Sequence, residues 1–219
     1  MFGQSVRLRW HDVKMQQAME RRRKAILAAA RALLEKEPLS MRRLAEAAGV
    51  SQATPYNLFG TKRRIFLALY QELNDDLLTR IKASDARDAL DRMYEAIRLM
   101  ARTLAAEPGF FRALIAVIYS SDAEGADIGT ADPAVALWTE LMAALAEERL
   151  IDPEVDLPAF TRNFVYLVGG ALMDWTDGRI DADTLETAVR YGFTLAALAV
   201  ATEPARPRLQ RVLSRHGGR

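Results

Sequence analysis

Apolar residues recur along this chain at intervals of three and four almost from end to end, and no stretch sustains a two-residue alternation. In QQAMERRRKAILAAARALLEKE, the small or apolar positions Ala18, Ala25, Ile26, Ala29, Ala32 and Leu33 follow a helical period among strong helix formers. The run stops before Pro38. Ser40 is placed to cap MRRLAEAA, Gly49 to end it, Ser51 to cap the next short helix and Thr61 the one after. From Lys62 the stripe Ile65, Phe66, Leu69, Leu73, Leu77 continues to Ile81, and Asp85 can cap the helix that ends before Pro108. GFFRALIAVIYS reads as an apolar helix, SDAEGADIGTA as a polar loop, and Asp132–Pro133 as the cap and first turn of AVALWTELMAALAEERL. Two more helices are expected over about 158–177 and 184–201, the second opened by the box Asp183–Glu186. The pattern predicts an all-α fold of about nine helices.

One stretch is more specific than its periodicity. In MRRLAEAAGVSQATPYNLFG, small or apolar residues fall at Leu44, Ala45, Ala48, Val50, Pro55 and Leu58 around a bend at Gly49. That is the layout of a helix-turn-helix, with Ala45 small where two helices cross and Gly49 free to take a positive φ. Pro55 lies early enough in the second helix that its missing N–H forfeits at most one intrahelical bond, and its ring can enter the core. Gln52, Ala53, Tyr56 and Asn57 then share the remaining face, free to enter a major groove.

Charge supports that reading. Residues 1–64 carry 14 Lys or Arg against 5 Asp or Glu, residues 65–202 carry 11 against 23, and residues 203–219 carry five arginines against one glutamate. A basic head beside an acidic body suits a polyanionic partner. Other chemistry is sparse. The chain has no cysteine, and its two histidines, His11 and His216, lie near opposite ends, which argues against thiolate, histidine-metal or nucleophilic catalysis. The carboxylates of DWTDGRIDAD read as a helix end and the following cap. No catalytic residues, metal or cofactor are therefore expected. With neither a secretory leader nor a membrane-length apolar run, the expected compartment is the cytoplasm.

The segment MRRLAEAAGVSQATPYNLFGTKRRIFLALY resembles the DNA-binding signature of the TetR (tetracycline-repressor-like) family. The spacing of Tyr56 and Phe59, followed by Gly60, Thr61 and Lys62, carries the match over roughly residues 20–70, with a long helix before it and an all-helical body after it. It departs at Pro55, at Leu58 and in the basic extension SVRLRWHDVK. The resemblance implies an N-terminal three-helix helix-turn-helix DNA-binding domain at 16–64, preceded by a basic arm at 1–15. A helical ligand-binding and dimerisation domain at 65–202 and a basic tail at 203–219 complete the division. It also implies the roles of individual residues toward double-stranded operator DNA. Lys62, Tyr56 and Thr54 would meet phosphates, as would Ser40, Arg42 and Arg43. Gln52 would read a base edge, Asn57 less directly, with Ser51 and Ala53 on the same surface. Arg7, Arg9 and Lys14 of the arm either follow the DNA or form a non-contacting extension.

By the same resemblance the last two long helices form a homodimer interface. The candidates there are Gly169, Leu172, Trp175, Leu185, Gly192, Leu195, Ala196 and Ala199. Between residues 86 and 168, Met93, Tyr94, Met100, Phe110, Phe111, Tyr119, Trp138, Met142 and Phe164 are adaptable enough to line a cavity for a small apolar or aromatic effector, although they suit a plain core as well. The resulting expectation is a dimeric, ligand-responsive repressor with no membrane partner. The alternative is a helical adaptor with only non-specific affinity for nucleic acid.

Overall fold

A computed structural model describes residues 3–34, 39–119 and 133–216. The described residues form ten helices and no strand: α1 (Gly3–Leu34), α2 (Met41–Ala47), α3 (Ala53–Phe59), α4 (Lys62–Lys82), α5 (Ala89–Ala106), α6 (Pro108–Tyr119), α7 (Pro133–Glu147), α8 (Leu157–Thr176), α9 (Ala182–Ala199) and α10 (Arg206–His216). The tenth is the basic tail, which is helical and buries Ala205 and Leu209 four residues apart. The loop expected over 120–131 and the Asp132 cap lie outside the described residues. Between Leu69 and Tyr70 the helical chain passes from one compact unit into another.

The first unit is built around α1, whose Ile26, Leu27, Ala30 and Leu34 share one buried face. Leu44 and Ala45 of α2 are fully buried, α2 packs on both α1 and α3, and the Arg23 guanidinium lies 4.7 Å over the Phe59 ring. Ile65, Phe66 and Leu69 at the start of α4 complete the buried set. The basic extension is not a separate arm in secondary structure, since α1 runs through it from Gly3.

In the second unit α5 packs against α6, α7 and α9, α8 against α6, α7 and α9, and α10 against α9. Aromatic edges run through the middle, from Tyr94 to Phe193 (5.6 Å), Phe193 to Phe164 (5.6 Å) and Phe164 to Trp138 (4.9 Å), each pair near perpendicular. Two caps differ from expectation. Asp88, not Asp85, caps α5 by accepting the Asp91 N–H at 3.0 Å, and Asp181, not Asp183, caps α9 by accepting that of Thr184 at 2.8 Å. Each stretch offers several aspartates, and at α5 tertiary contact decides. Arg208 of α10 donates to both carboxylate oxygens of Asp88 and, at 2.7 Å, to Asp91. Beside them Glu148 accepts the Ala89 N–H at 2.7 Å and pairs with Arg92.

The Arg208 hydrogen bonds hold the Asp88 carboxyl below its ordinary value of 3.8. A lowered folded value means that the stabilisation is fully present above 3.8 and is lost as pH falls through the lower folded value. Arg208→Ala should cost about 1–2 kcal/mol near neutral pH, discounted for partial exposure. Thermal unfolding against pH should show the gap between wild type and variant closing only below that acid limb.

Arg149 ends α7 with φ +55°, the non-glycine residue with positive φ among those described. The Leu150 N–H returns to Leu145 O (2.9 Å) and the Arg149 N–H to Ala146 O (3.0 Å), a Schellman closure in a conformation that disfavours a Cβ. The strain leads directly into the bridge between Ile151 and Ala201, where the Asp152 N–H donates to Val200 O at 2.8 Å. Arg149→Gly should therefore raise stability by about 0.5–1 kcal/mol in chemical denaturation.

Candidate nucleic-acid interface and effector cavity

The helix-turn-helix is assembled by local chemistry that was visible in the sequence. Ser40 caps α2, its Oγ accepting the Arg43 N–H at 3.3 Å. Gly49 takes φ +64°, and the Val50 N–H closes on Ala45 O at 3.0 Å. A side chain there would strain the turn that sets the angle between α2 and α3. Ser51 does not cap α3 as expected. Its Oγ pairs with Thr54 Oγ1 at 2.8 Å and its carbonyl accepts the Thr54 N–H at 2.9 Å, so the helix begins at Ala53. Pro55 is buried in the first turn of α3, where no helical acceptor waits for an N–H.

Burial sorts the two faces of α3. Pro55 and Phe59 point inward, whereas Tyr56 between them is 56% exposed and Gln52, Ala53 and Asn57 are also exposed. Ser40, Arg42, Arg43 and Ser51 are exposed as well, and Thr54 is half-buried. Arg42 approaches Glu46 only to 3.9 Å, with both side chains largely in solvent, so this pair restrains it little. Gly60, at φ +76°, turns the chain into α4, whose first N–H groups are partly satisfied by Thr61 Oγ1 accepting from Arg64 N at 3.2 Å. Lys62, the first residue of α4, is exposed and has no carboxylate partner among the described residues. Its charge and the helix N-terminus project together, which suits a phosphate. Lys14 is exposed on α1, while the side chains of Arg7 and Arg9 lie outside the described residues.

The second unit contains a cavity of about 70 Å³ walled by α4, α5, α6, α7 and α8. Met100, Phe111 and Trp138, expected to line such a site, do so. Met93, Tyr94, Phe110, Met142 and Phe164 are not on its walls and belong to the packing around it, and the Tyr119 side chain lies outside the described residues. Tyr94 is held there by a 3.0 Å hydrogen bond with Thr194 and by Arg190 stacked at 4.7 Å, and burial raises its hydroxyl above the ordinary value of 10.0. The walls include Leu104, Leu114, Leu137 and Leu172, together with Asn74 of α4, a residue that the sequence reading passed over. A signal for it existed. Asn74 is a polar residue on the same helical face as Tyr70, Leu77 and Ile81.

The candidates on α8 and α9 separate by burial. Gly169, Leu172, Trp175 and Leu185 are buried within the protomer, whereas Leu195, Ala196 and Ala199 are exposed and Gly192 is intermediate. The exposed apolar residues of these helices also include Tyr166, Leu167 and Tyr191. A Cβ on Gly192 would lie 2.5 Å from Leu167 Cδ2, so a larger residue there would make the partly exposed Leu167 side chain turn aside. No helix among the described residues is long and apolar enough to cross a membrane.

A helix-turn-helix with an exposed reading face, followed by a separate all-helical unit containing a cavity, defines a class: helical DNA-binding regulators. Residues 26–69, the helix-turn-helix and the start of α4, match the model of the bacterial regulatory proteins of the tetR family. It is similar to the nucleoid occlusion factor SlmA of Alteromonas mediterranea, with 29% identity over 79% of this chain and 86% of that one. Similarity to SlmA of Idiomarina loihiensis reaches 32% identity over 46% of this chain and 54% of that one. Among solved structures, a TetR transcriptional regulator from Rhodococcus sp. RHA1 shares the fold with a TM-score of 0.67 at 23% identity, over 81% of this chain and 96% of that one. Thermus thermophilus FadR, a TetR-family repressor solved with lauroyl-CoA, shares it with a TM-score of 0.63 at 22% identity, over 77% and 91%.

Proposed function

We propose that this chain is a dimeric, sequence-specific transcriptional repressor of the cytoplasm, released from a pseudo-palindromic operator by a small apolar or aromatic effector. The observation that carries the reading is the two-faced α3, with Pro55 and Phe59 buried while Gln52, Tyr56 and Asn57 stand exposed beside a Lys62 that has no carboxylate partner among the described residues. Gln52 presents an amide able to bond adenine bidentately, and Tyr56 and Lys62 supply phosphate contacts that set the register. A second copy covers the exposed Tyr166, Leu167, Tyr191 and Leu195, placing two reading heads on one duplex.

The cavity supports control by a ligand. At about 70 Å³ it is smaller than the several hundred Å³ of a typical drug-sized site, so an occupant is short or must open it. Because α4 walls the cavity and begins at Lys62, opening would move the helix that carries the phosphate contact. The lauroyl-CoA bound by the Thermus FadR carries an apolar acyl chain, which makes a ligand with an apolar body the starting class. The small volume also favours a second reading, a DNA binder that needs no release, in keeping with the name of the nucleoid occlusion factors it resembles.

Selection from random duplexes tests the first claim. Enriched sites should be two-fold symmetric with half-sites one helical turn or a multiple apart. A pool that never enriches would point to the adaptor reading.

A further inference from the structure

We infer that the effector cavity is built for an uncharged molecule with an apolar body and one hydrogen-bond acceptor, a ketone or ester carbonyl, received by the Asn74 amide. The inference rests on the cavity being the effector site.

Asn74 is 7% exposed, and its Nδ2 has no hydrogen-bond partner. Three other buried side-chain polar atoms among the described residues share that condition, on Thr161, Thr176 and Arg190, but none of those residues lines the cavity. An unpartnered buried donor is costly, and a helix interior gives no reason to choose asparagine over leucine at such a position. The donor acquires a reason if an occupant supplies the acceptor.

The remaining walls decide the class. Leu77, Leu104, Phe111, Leu114, Trp138 and Leu172 are buried and apolar, suiting a hydrocarbon or aromatic body. Three other polar wall residues, Thr103, Arg80 and Asp76, are already engaged. Thr103 Oγ1 donates to Leu99 O at 2.8 Å and accepts from Arg80 Nη1 at 3.2 Å, and Arg80 lies 3.7 Å from Asp76. Arg80 is already bonded to Thr103 and close to the exposed Asp76, so no unpaired cation faces the buried end and a carboxylate there would lie desolvated against a neutral amide. A carbonyl needs no countercharge.

Calorimetric titration of the full-length protein with acetophenone, cumene and benzoate tests this. Acetophenone and cumene have nearly the same shape and differ in whether a carbonyl or a methyl-bearing carbon adjoins the ring. The ratio of the cumene Kd to the acetophenone Kd should fall about tenfold from wild type to Asn74→Leu, with Asn74→Ala showing the same direction, and benzoate should bind wild type more weakly than acetophenone. The unliganded Asn74→Leu protein should melt no lower than wild type, because a donor with no structural partner is removed. An unchanged ratio with both probes binding would overturn the role of Asn74 and leave the cavity as an effector site. A lower melting temperature in the leucine variant would overturn it by showing that the amide is structural. Failure of all three probes to bind wild type would overturn both the inference and the cavity reading on which it rests.

Discussion

Leu195→Glu should convert the proposed dimer to monomer and lower operator affinity by about two to four orders of magnitude, since two linked reading heads bind far more tightly than one. Leu195 is 46% exposed in the protomer, on the face of α9 that also shows Tyr191, Ala188 and Ala199, next to Tyr166 and Leu167 of α8. Such a run of exposed apolar side chains calls for a partner surface. In a two-fold interface each substitution is present twice, so two carboxylates would be buried among apolar groups. The protomer should be unaffected, with stability within about 0.5 kcal/mol of wild type, because the side chain already faces solvent there. Sedimentation equilibrium reads the dimer and fluorescence anisotropy reads the DNA. A variant that stays dimeric would move the interface elsewhere.

Lys62→Ala should weaken binding to operator and to random DNA alike, by about 1–1.5 kcal/mol for each protomer, or roughly 30- to 160-fold for a dimer. Its signature is the salt dependence. Two lost phosphate contacts lower the slope of log K against log salt by about 2. Gln52→Ala should behave in the opposite way, losing discrimination between sites while keeping the slope, because a base-edge amide neutralises no phosphate. The contrast separates the positioning residue from the reading residue, which loss of affinity alone does not. Fold should survive both substitutions, as both side chains are exposed.

What was legible in the sequence was what local chemistry decides. Ser40 as a cap, Gly49 at positive φ, a buried Pro55 and a capping Thr61 depend on residues within a few positions of each other, and all four appear in the structure. What depended on distant contacts was not legible. Asp88 displaces Asp85 as the α5 cap alongside its bonds to Arg208, which lies 120 residues away. The tail that supplies Arg208 was expected only as a basic segment, and among its described residues Ala205 and Leu209 mark the buried side. On α8 and α9 the period showed that one face is apolar but not which apolar residues the protomer itself consumes. Leu172, Trp175 and Leu185 turn inward, and Tyr166 and Tyr191 remain outside. The cavity was legible only as a collection of adaptable side chains, of which Met100, Phe111 and Trp138 reach it.

The measurement that bears most directly on the central claim is anisotropy binding at fixed salt to the DNA flanking this protein's own coding region, with unrelated duplex as competitor and wild type beside Tyr56→Ala. Tyr56 is the side chain that α3 exposes most plainly between two buried neighbours. Tight binding that withstands the competitor in wild type and is lost in the variant is the predicted result. Weak binding that ignores sequence and persists without the tyrosine would contradict it and leave the helix-turn-helix as a scaffold.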